Sequence, residues 1–222
     1  GGDLIAACET GGVPHPSGYP TYCLLARLWA RLAPGDLARR YTLFSALTAA
    51  TSAGLIGDLA RRLWLRAGGG RYESVAIAAG CGLIWGLGPA LWSLAVITEV
   101  YTLHALFAAL LLWRVLTLRK CSPLAAWVAL GLVAGLGLGN HLTLALLLPG
   151  LLLWLWPLLT RRKALAALGG LALGLCAYLY LPLAARGNPL VAWGDPGTWR
   201  GFWWLVSGQM YRGYVMATPL AH

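Results

Sequence analysis

The side chains that could do chemistry lie in four short polar segments, at residues 11–20, 92–104, 137–141 and 186–211. They include carboxylates and imidazoles, which transfer protons and bind ions, and aromatic rings, which can support a sugar. In the first segment, three prolines and three glycines exclude a helix, so we expect a rigid loop that presents His15 and Tyr19. A structural connector without chemical function is the alternative interpretation.

The second and third polar segments separate apolar stretches. They contain Glu99, Tyr101, His104, Asn140 and His141. A carboxylate or imidazole between apolar stretches is costly unless it is paired or hydrated, and it usually faces a polar cavity. Glu99 at a membrane surface would need no partner, however, and His141 could lie among lipid headgroups after a helix end capped by Asn140.

The fourth segment begins at Arg186 and combines charged groups with aromatic rings. Trp193 and Asp195 belong to a Trp-Gly-Asp-Pro turn, and the aromatic run that follows contains Trp199, Phe202, Trp203 and Trp204. Such a run is typical both of the aromatic belt at a membrane interface and of a carbohydrate subsite. The pattern does not separate these two interpretations.

The elements that position these segments must be membrane helices. The 222 residues are 59% hydrophobic and only 11% charged, whereas soluble domains are roughly half apolar and a quarter charged. Apolar stretches approaching the roughly 20 residues that a bilayer requires lie at about 41–60, 74–97, 101–118, 123–140, 142–159 and 164–184. Because a helix pairs its backbone groups within one segment, we predict an all-α, polytopic transmembrane helix bundle of about six spans.

Finer features of these stretches predict local structure. Gly86, Gly88 and Pro89 predict a break in the second stretch. Residues 21–34 have the spacing of an amphipathic helix in the membrane interface, within the first outer loop. Small residues that predict close helix packing are Gly131, Gly135, Gly137, Gly169, Gly170 and Gly174.

Basic clusters set the predicted orientation. With six crossings, the clusters at residues 61–71, 114–120 and 161–163 fall on one side, which the positive-inside rule makes cytoplasmic. All four polar segments then face outward. Arg27 and three further arginines before residue 41 lie on the outer side and weaken the rule, although they could bind lipid phosphates.

We expect residues 1–222 to form a single membrane domain of a longer protein, since the sequence opens with Gly1 rather than Met. The outer loop and interfacial helix would occupy 1–40, the spans 41–184, and an outer-face segment 185–222. The net charge of +10 does not indicate nucleic-acid binding, because the basic residues flank apolar stretches.

The scattered cysteines predict neither a disulfide framework nor a metal site, and we interpret them as packing residues: Cys8, Cys23, Cys81, Cys121 and Cys176.

Taken together, the polar segments resemble a bacterial membrane family known as domain of unknown function 2723, which is similar to the C-type glycosyltransferases and protein O-mannosyltransferases. The resemblance is carried by residues 3–7, 12–20, 92–107, 137–143 and 181–211. Its specific elements are His-Pro-x-Gly-Tyr-Pro from His15 and Trp-Gly-Asp-Pro from Trp193. Gly2 and Asp3 match only the last two places of the family's opening acidic pattern, and Ser17 replaces the more usual proline.

The resemblance implies an enzyme of the bacterial inner (plasma) membrane, with its site facing outward. It would move a sugar, expected to be mannose, from a polyprenyl-phosphate carrier to a protein or glycan acceptor. Inverting transfer requires a carboxylate that takes the acceptor proton, and we expect Asp3, or an acid upstream of Gly1, to be this base. Positively charged side chains must bind the leaving phosphate, and we expect His15, Arg27 and Arg186 to do so.

The other expected substrate contacts are Tyr19, Glu99, Tyr101, His104, Asn140, His141, Trp193 and Asp195. Glu99, Tyr101 and His104 would line the outward cavity, and Trp193 with Asp195 would contact the sugar or acceptor. The pattern requires no cofactor, but a divalent metal ion could bind if Asp3 and Glu99 converge.

Two other functional classes stay open at this point. A transporter or lipid flippase would also have kinked helices and polar groups between spans, although the sequence contains no evident internal repeat. A non-catalytic homologue is suggested by the incomplete acidic pattern before Leu4.

Overall fold

The computed structural model describes residues 1–211 and 213. Helices account for 76% of the described residues, which contain no strand. One isolated parallel bridge pairs Val13 with Ala192. The prediction of an all-α protein is therefore confirmed.

Eleven α-helices are present in the described part of the chain. They are α1 Gly2–Thr10, α2 Pro20–Ala30, α3 Leu37–Arg66, α4 Arg71–Gly86, α5 Pro89–Ala95, α6 Tyr101–Thr117, α7 Leu124–Asn140, α8 Leu148–Leu155, α9 Arg161–Leu175, α10 Tyr180–Arg186 and α11 Trp199–Val206. Short 3-10 segments flank α8 at Leu142–Leu147 and Trp156–Leu158, join α9 to α10 at Cys176–Leu179, and follow α11 at Gln209–Tyr211. The six predicted apolar stretches correspond to α3, α4 with α5, α6, α7, α8 with its flanking turns, and α9 through α10.

Two helices of the described chain are long and apolar enough to cross a bilayer, Leu37–Arg66 and Arg161–Arg186. The α4–α5 pair counts as a third span if its 65° bend is accepted. That bend confirms the predicted break, since Pro89 begins α5 directly after Gly88. Three further apolar segments are shorter, so two or three spans are supported by length and composition, and six spans stay a prediction.

Glycines bring α7 and α9 into backbone contact. A Cβ atom on Gly170 would collide with the carbonyl group of Val128. Close approach of this kind confirms the packing prediction for Gly131, Gly135, Gly170 and Gly174, and Gly137 confirms it against the side chains of Leu144 and Phe107. It was wrong for Gly169, which has no atom within 4 Å of its Cβ position, because this residue faces away from α7.

The main core lies where the amino-terminal helices pack on α6 and α7. Its largest fully buried side chains include Trp127, Tyr22 and Tyr41. A smaller cluster joins Val13 of the first polar segment to residues of α10 and α11. The loop at residues 11–19 packs against both clusters, through Tyr19 in the main core and Val13 in the smaller cluster.

The segment before residue 41 contains more helix than predicted. The amphipathic helix expected at 21–34 is present as α2, but the expected outer loop also contains α1, which the sequence did not indicate. Helix α1 is capped by Gly11, whose φ of 69° is left-handed and whose N–H reaches the carbonyl groups of Ala7 and Cys8. This helix places Asp3 in the first turn of an ordered element.

Candidate active site

The carboxylate of Asp3 is the centre of the candidate site. Its Oδ2 lies 2.7 Å from Nδ1 of His15 and accepts the backbone N–H of His15 at 3.3 Å. Its Oδ1 accepts the indole N–H of Trp193 at 3.2 Å. Helix α1, the first polar segment and the fourth polar segment therefore meet at one carboxylate.

The surroundings keep Asp3 ionised. Burial of the carboxyl group favours its neutral form, but the hydrogen bonds from His15 and Trp193 outweigh this effect and lower the pKa of Asp3 below its ordinary value of 3.8. The side chain is still 34% exposed. A substrate group can therefore reach a carboxylate that is charged at neutral pH.

Backbone pairing fixes the loop that carries His15. The N–H of Val13 donates to the carbonyl of Val191 at 2.8 Å, and the N–H of Trp193 donates back to the carbonyl of Val13 at 3.1 Å. The hydroxyl of Tyr180 donates to the carbonyl of Gly12 at 2.7 Å. The tail that presents Trp193 is thus attached to the loop that presents the histidine.

A wall of aromatic and imidazole rings continues from this pair. The rings of His15 and Tyr19 are 5.2 Å apart, and Tyr19 stacks on His141 at 6.1 Å. The ring of His141 also lies 5.5 Å from Tyr101 and 5.2 Å from His104. The first, second and third polar segments therefore share one continuous surface.

Polar contacts hold α6 and α7 together at this surface. The hydroxyl of Thr143 lies 2.8 Å from Nδ1 of His141 and 3.4 Å from Nε2 of His104. Asn140 is fully buried and donates to the carbonyl of Val100 at 3.2 Å, which fixes the start of α6. Its Oδ1 has no partner within the described residues.

Close packing of α7 on α2 sets the distance between His141 and Tyr19. A Cβ atom on Gly139 would lie 2.5 Å from Oγ1 of Thr21. The carboxyl end of α7 therefore contacts the first turn of α2, which begins directly after Tyr19.

Glu99 lies beside the start of α1. Its Oε1 is 3.3 Å from the nitrogen of Gly1, and its backbone N–H donates to the hydroxyl of Ser45 at 3.5 Å. Glu99 thus lies near the end of α1 that carries Asp3. No group of three or more His, Cys, Asp or Glu side chains that could hold a metal ion occurs in the described ranges, so metal binding stays a prediction.

Comparison with known proteins gives the family. A family model described as the protein O-mannosyl-transferase TMEM260 N-terminal domain matches residues 1–164. The chain belongs to this family. The mouse protein O-mannosyl-transferase TMEM260 is 34% identical over 215 residues, which cover 90% of this chain and 29% of the mouse protein. The chain thus spans less than a third of that relative, and no solved structure matches it significantly.

The match to the TMEM260 N-terminal family covers Asp3, His15 and the ring wall, and it ends before Trp193. The predicted resemblance to protein O-mannosyltransferases is confirmed. Kinship with the C-type glycosyltransferases and with domain of unknown function 2723 stays a prediction.

The contacts of the described chain do not bring the remaining predicted site residues to Asp3. The guanidinium of Arg27 lies near Gly11, with Nη1 3.1 Å from the position of a Cβ atom there, at the opposite end of α1. Arg186 is exposed at the end of α10. Asp195 has a left-handed φ of 46°, and its carbonyl accepts hydrogen bonds within its own turn. Their roles stay predictions.

Two residues join the site without having been predicted. Thr143 links the two histidines of the ring wall, but a single threonine in an apolar sequence carries no signal of its own. Tyr211 follows α11, and burial together with the nearby Tyr101 and Asp3 raises the pKa of its hydroxyl. Only the tertiary fold brings this phenol near the carboxylate.

Proposed function

We propose that this chain forms the sugar-transferring part of a membrane mannosyltransferase. The observation that carries the proposal is the Asp3 carboxylate, which is charged, partly exposed and oriented by both His15 and Trp193. The mouse relative is by name a protein O-mannosyl-transferase, and we extend its mannosyl group and its protein acceptor to this chain. A polyprenyl-phosphate carrier is the proposed donor.

The proposed reaction is an inverting displacement with Asp3 as general base. The acceptor hydroxyl oxygen forms a bond to the anomeric carbon of the sugar, and its proton passes to the carboxylate of Asp3. The bond between the anomeric carbon and the carrier phosphate breaks, and the phosphate leaves with the bonding electrons. Although Asp3 is a weak base, the hydroxyl proton becomes acidic as its oxygen bonds to an electron-poor carbon.

The leaving phosphate is proposed to accept a hydrogen bond from His15. Because Nδ1 of His15 is engaged by Asp3, only Nε2 is available, and it donates when the ring is protonated. Arg27 and Arg186 stay proposed phosphate contacts on the same outward side, as do Trp193, Tyr101 and His104 for the sugar. Aromatic and imidazole rings offer such a substrate an apolar face together with polar edges.

An apolar groove offers a place for the lipid chain. It lies between α3 and α4, has a volume of about 860 Å³, and is lined mainly by alanines and glycines. One end is bordered by Asp58 and Arg61, and the other reaches Trp92 and Val96, just before Glu99. We propose that part of the polyprenyl chain lies here, within a C-type architecture of about six spans whose site faces outward.

The test uses the full-length protein in lipid vesicles with polyprenyl-phosphate mannose and a protein acceptor. We expect labelled mannose to appear on acceptor hydroxyl groups. Movement of the carrier lipid between leaflets without transfer would instead identify a flippase. Donor binding without either event would identify a non-catalytic homologue, and both results would contradict the proposal.

A further inference from the structure

Two cysteines of the amino-terminal segment face each other in the protein interior. The sulfur atoms of Cys8 in α1 and Cys23 in α2 are 2.6 Å apart, closer than the donor and acceptor of an ordinary N–H···O hydrogen bond at about 2.9 Å, although sulfur is the larger atom. Both residues are at most 1% exposed. No spacing pattern in the sequence indicates this pair, since the residues are 15 positions apart.

We propose that Cys8 and Cys23 form an intramolecular disulfide that fastens α1 to α2. The closed ring contains the loop that presents His15 and Tyr19. Disulfides persist in oxidising compartments, so this inference rests on the outward orientation that is part of the proposed function. It deepens that function by assigning a covalent support to the site.

The position of the pair explains what the link would do. Helix α1 has only 9 residues, and isolated helices shorter than about 12 residues are marginal in water. Asp3 lies on this short helix, and its partner His15 lies on the loop that follows. A bond from Cys8 to α2 restricts the movement of α1 relative to that loop and so holds Asp3 in place.

The chemistry requires an oxidant, which we take to be a disulfide-bearing oxidoreductase of the outer compartment. One cysteine thiolate attacks the oxidant's disulfide and forms a mixed disulfide, and the second thiolate then displaces the oxidant. Two protons leave the cysteines, and two electrons reduce the oxidant to its dithiol. Both thiols are at most 1% exposed in the folded protein, so an oxidant cannot reach them there, and burial also raises the pKa of the Cys8 thiol. Pairing therefore occurs before α1 closes over α2.

The direct test is a mass-spectrometric map of the full-length protein from its native membranes. The protein is denatured without reductant in the presence of an alkylating reagent and is then cut with trypsin and a glutamate-specific protease. No Lys or Arg lies between Cys8 and Cys23, and Glu9 is the only carboxylate there. Cleavage after Glu9 therefore leaves two peptides that stay joined only through a disulfide.

We expect one joined species, lighter by two hydrogen atoms than the sum of the two thiol peptides, which separates on reduction. Cys121 is exposed and should be alkylated without reductant as an internal reference. In Cys8→Ser the thiol of Cys23 should become fully alkylated, whereas Cys121→Ser should leave the joined species unchanged. Full alkylation of both Cys8 and Cys23 in the wild-type protein would overturn the proposal.

The functional role is tested with Cys8→Ala/Cys23→Ala, which keeps small apolar side chains. We expect its mannose transfer to fall on the order of tenfold, and an unchanged rate would overturn the positioning role. Free thiols in a protein that still transfers mannose would refute the disulfide and leave the proposed function intact. A disulfide in a protein without transfer would support the link while the proposed function fails.

Discussion

Trp193 donates its indole N–H to the carboxylate of Asp3 at 3.2 Å, across 190 positions of the chain. The same carboxylate accepts from His15, so residues from both ends of the chain define one charged group. The tail reaches this position because it pairs with the backbone of Val13. A segment that resembled an interfacial aromatic belt therefore contributes to the candidate site.

Trp193→Phe tests this contact, because it keeps an aromatic ring and removes the N–H donor. Loss of one hydrogen bond to a partly exposed charge costs about 1 kcal/mol, so we expect mannose transfer to fall about fivefold. The matched control is Trp199→Phe, since Trp199 is 77% exposed and lies outside the site. Equal rates in the two variants would contradict the role of the indole.

Gly139→Ala tests the packing that sets the ring wall. The new Cβ atom would lie 2.5 Å from Oγ1 of Thr21, so the end of α7 must move and carry His141 away from Tyr19. We expect transfer to fall about tenfold, because small misplacements at a site are costly, while the protein stays folded. Thr21→Ala removes the obstructing oxygen, which has no hydrogen-bond partner in the described chain, and should restore transfer in the double variant.

Gly169→Ala is the control for that experiment, since it makes the same change at a position with no atom within 4 Å. Alanine favours a helix over glycine by about 1 kcal/mol, so the unfolding temperature should stay equal or rise and transfer should not change. Failure of Thr21→Ala to rescue Gly139→Ala would show that the close approach does not govern the site.

The pH dependence of stability follows from the lowered pKa of Asp3. The pKa of Asp3 in the folded protein lies below 3.8, its ordinary value in an unfolded chain. Its carboxylate therefore stabilises the fold fully at pH values above 3.8, and this contribution is lost as the pH falls through the pKa of the folded protein. The unfolding temperatures of the wild type and Asp3→Asn should therefore differ by a constant amount from about pH 7 to about pH 5 and converge below about pH 4. Convergence already near neutral pH would contradict the assignment.

His15 has two proposed tasks that different substitutions separate. His15→Ala removes the contact with Asp3 and the contact with the phosphate, so kcat should fall and the donor KM should rise. An asparagine amide can replace Nδ1 as donor to Asp3 but offers nothing at the position of Nε2. His15→Asn should therefore recover much of kcat while the donor KM stays high, and a wild-type KM in both variants would remove the phosphate role.

Much of the fold could be predicted because a chain in a lipid bilayer must form apolar helices. The length of each helix and the position of a break depend on residues within that segment of the sequence. The break before Pro89 and the helix-free loop around His15 follow from single residues. Helix α1 was missed because it is short and weakly patterned. Whether a glycine in a helix faces a neighbouring helix depends on the tertiary packing. For this reason Gly170 contacts the backbone of α7 and the adjacent Gly169 does not.

The site was less predictable, because its contacts join segments that are distant in sequence. Residue types singled out His15, His104 and His141, whose roles in the site stay predictions. Nothing local in the sequence indicates that Thr143 lies between two of these histidines or that Cys8 meets Cys23. The charge of Arg27 suggested a phosphate contact, and the structure places its guanidinium near Gly11, so this role stays a prediction.

The most direct test of the whole account is the rate of mannose transfer by full-length Asp3→Asn at saturating polyprenyl-phosphate mannose. Loss of a general base reduces the rate by about a hundredfold or more, and we expect this loss with unchanged folding and donor binding. Asp36→Asn is the matched control, because Asp36 caps α3 through Arg39 and takes no part in the site. A rate for Asp3→Asn that equals the rate of this control would contradict the account.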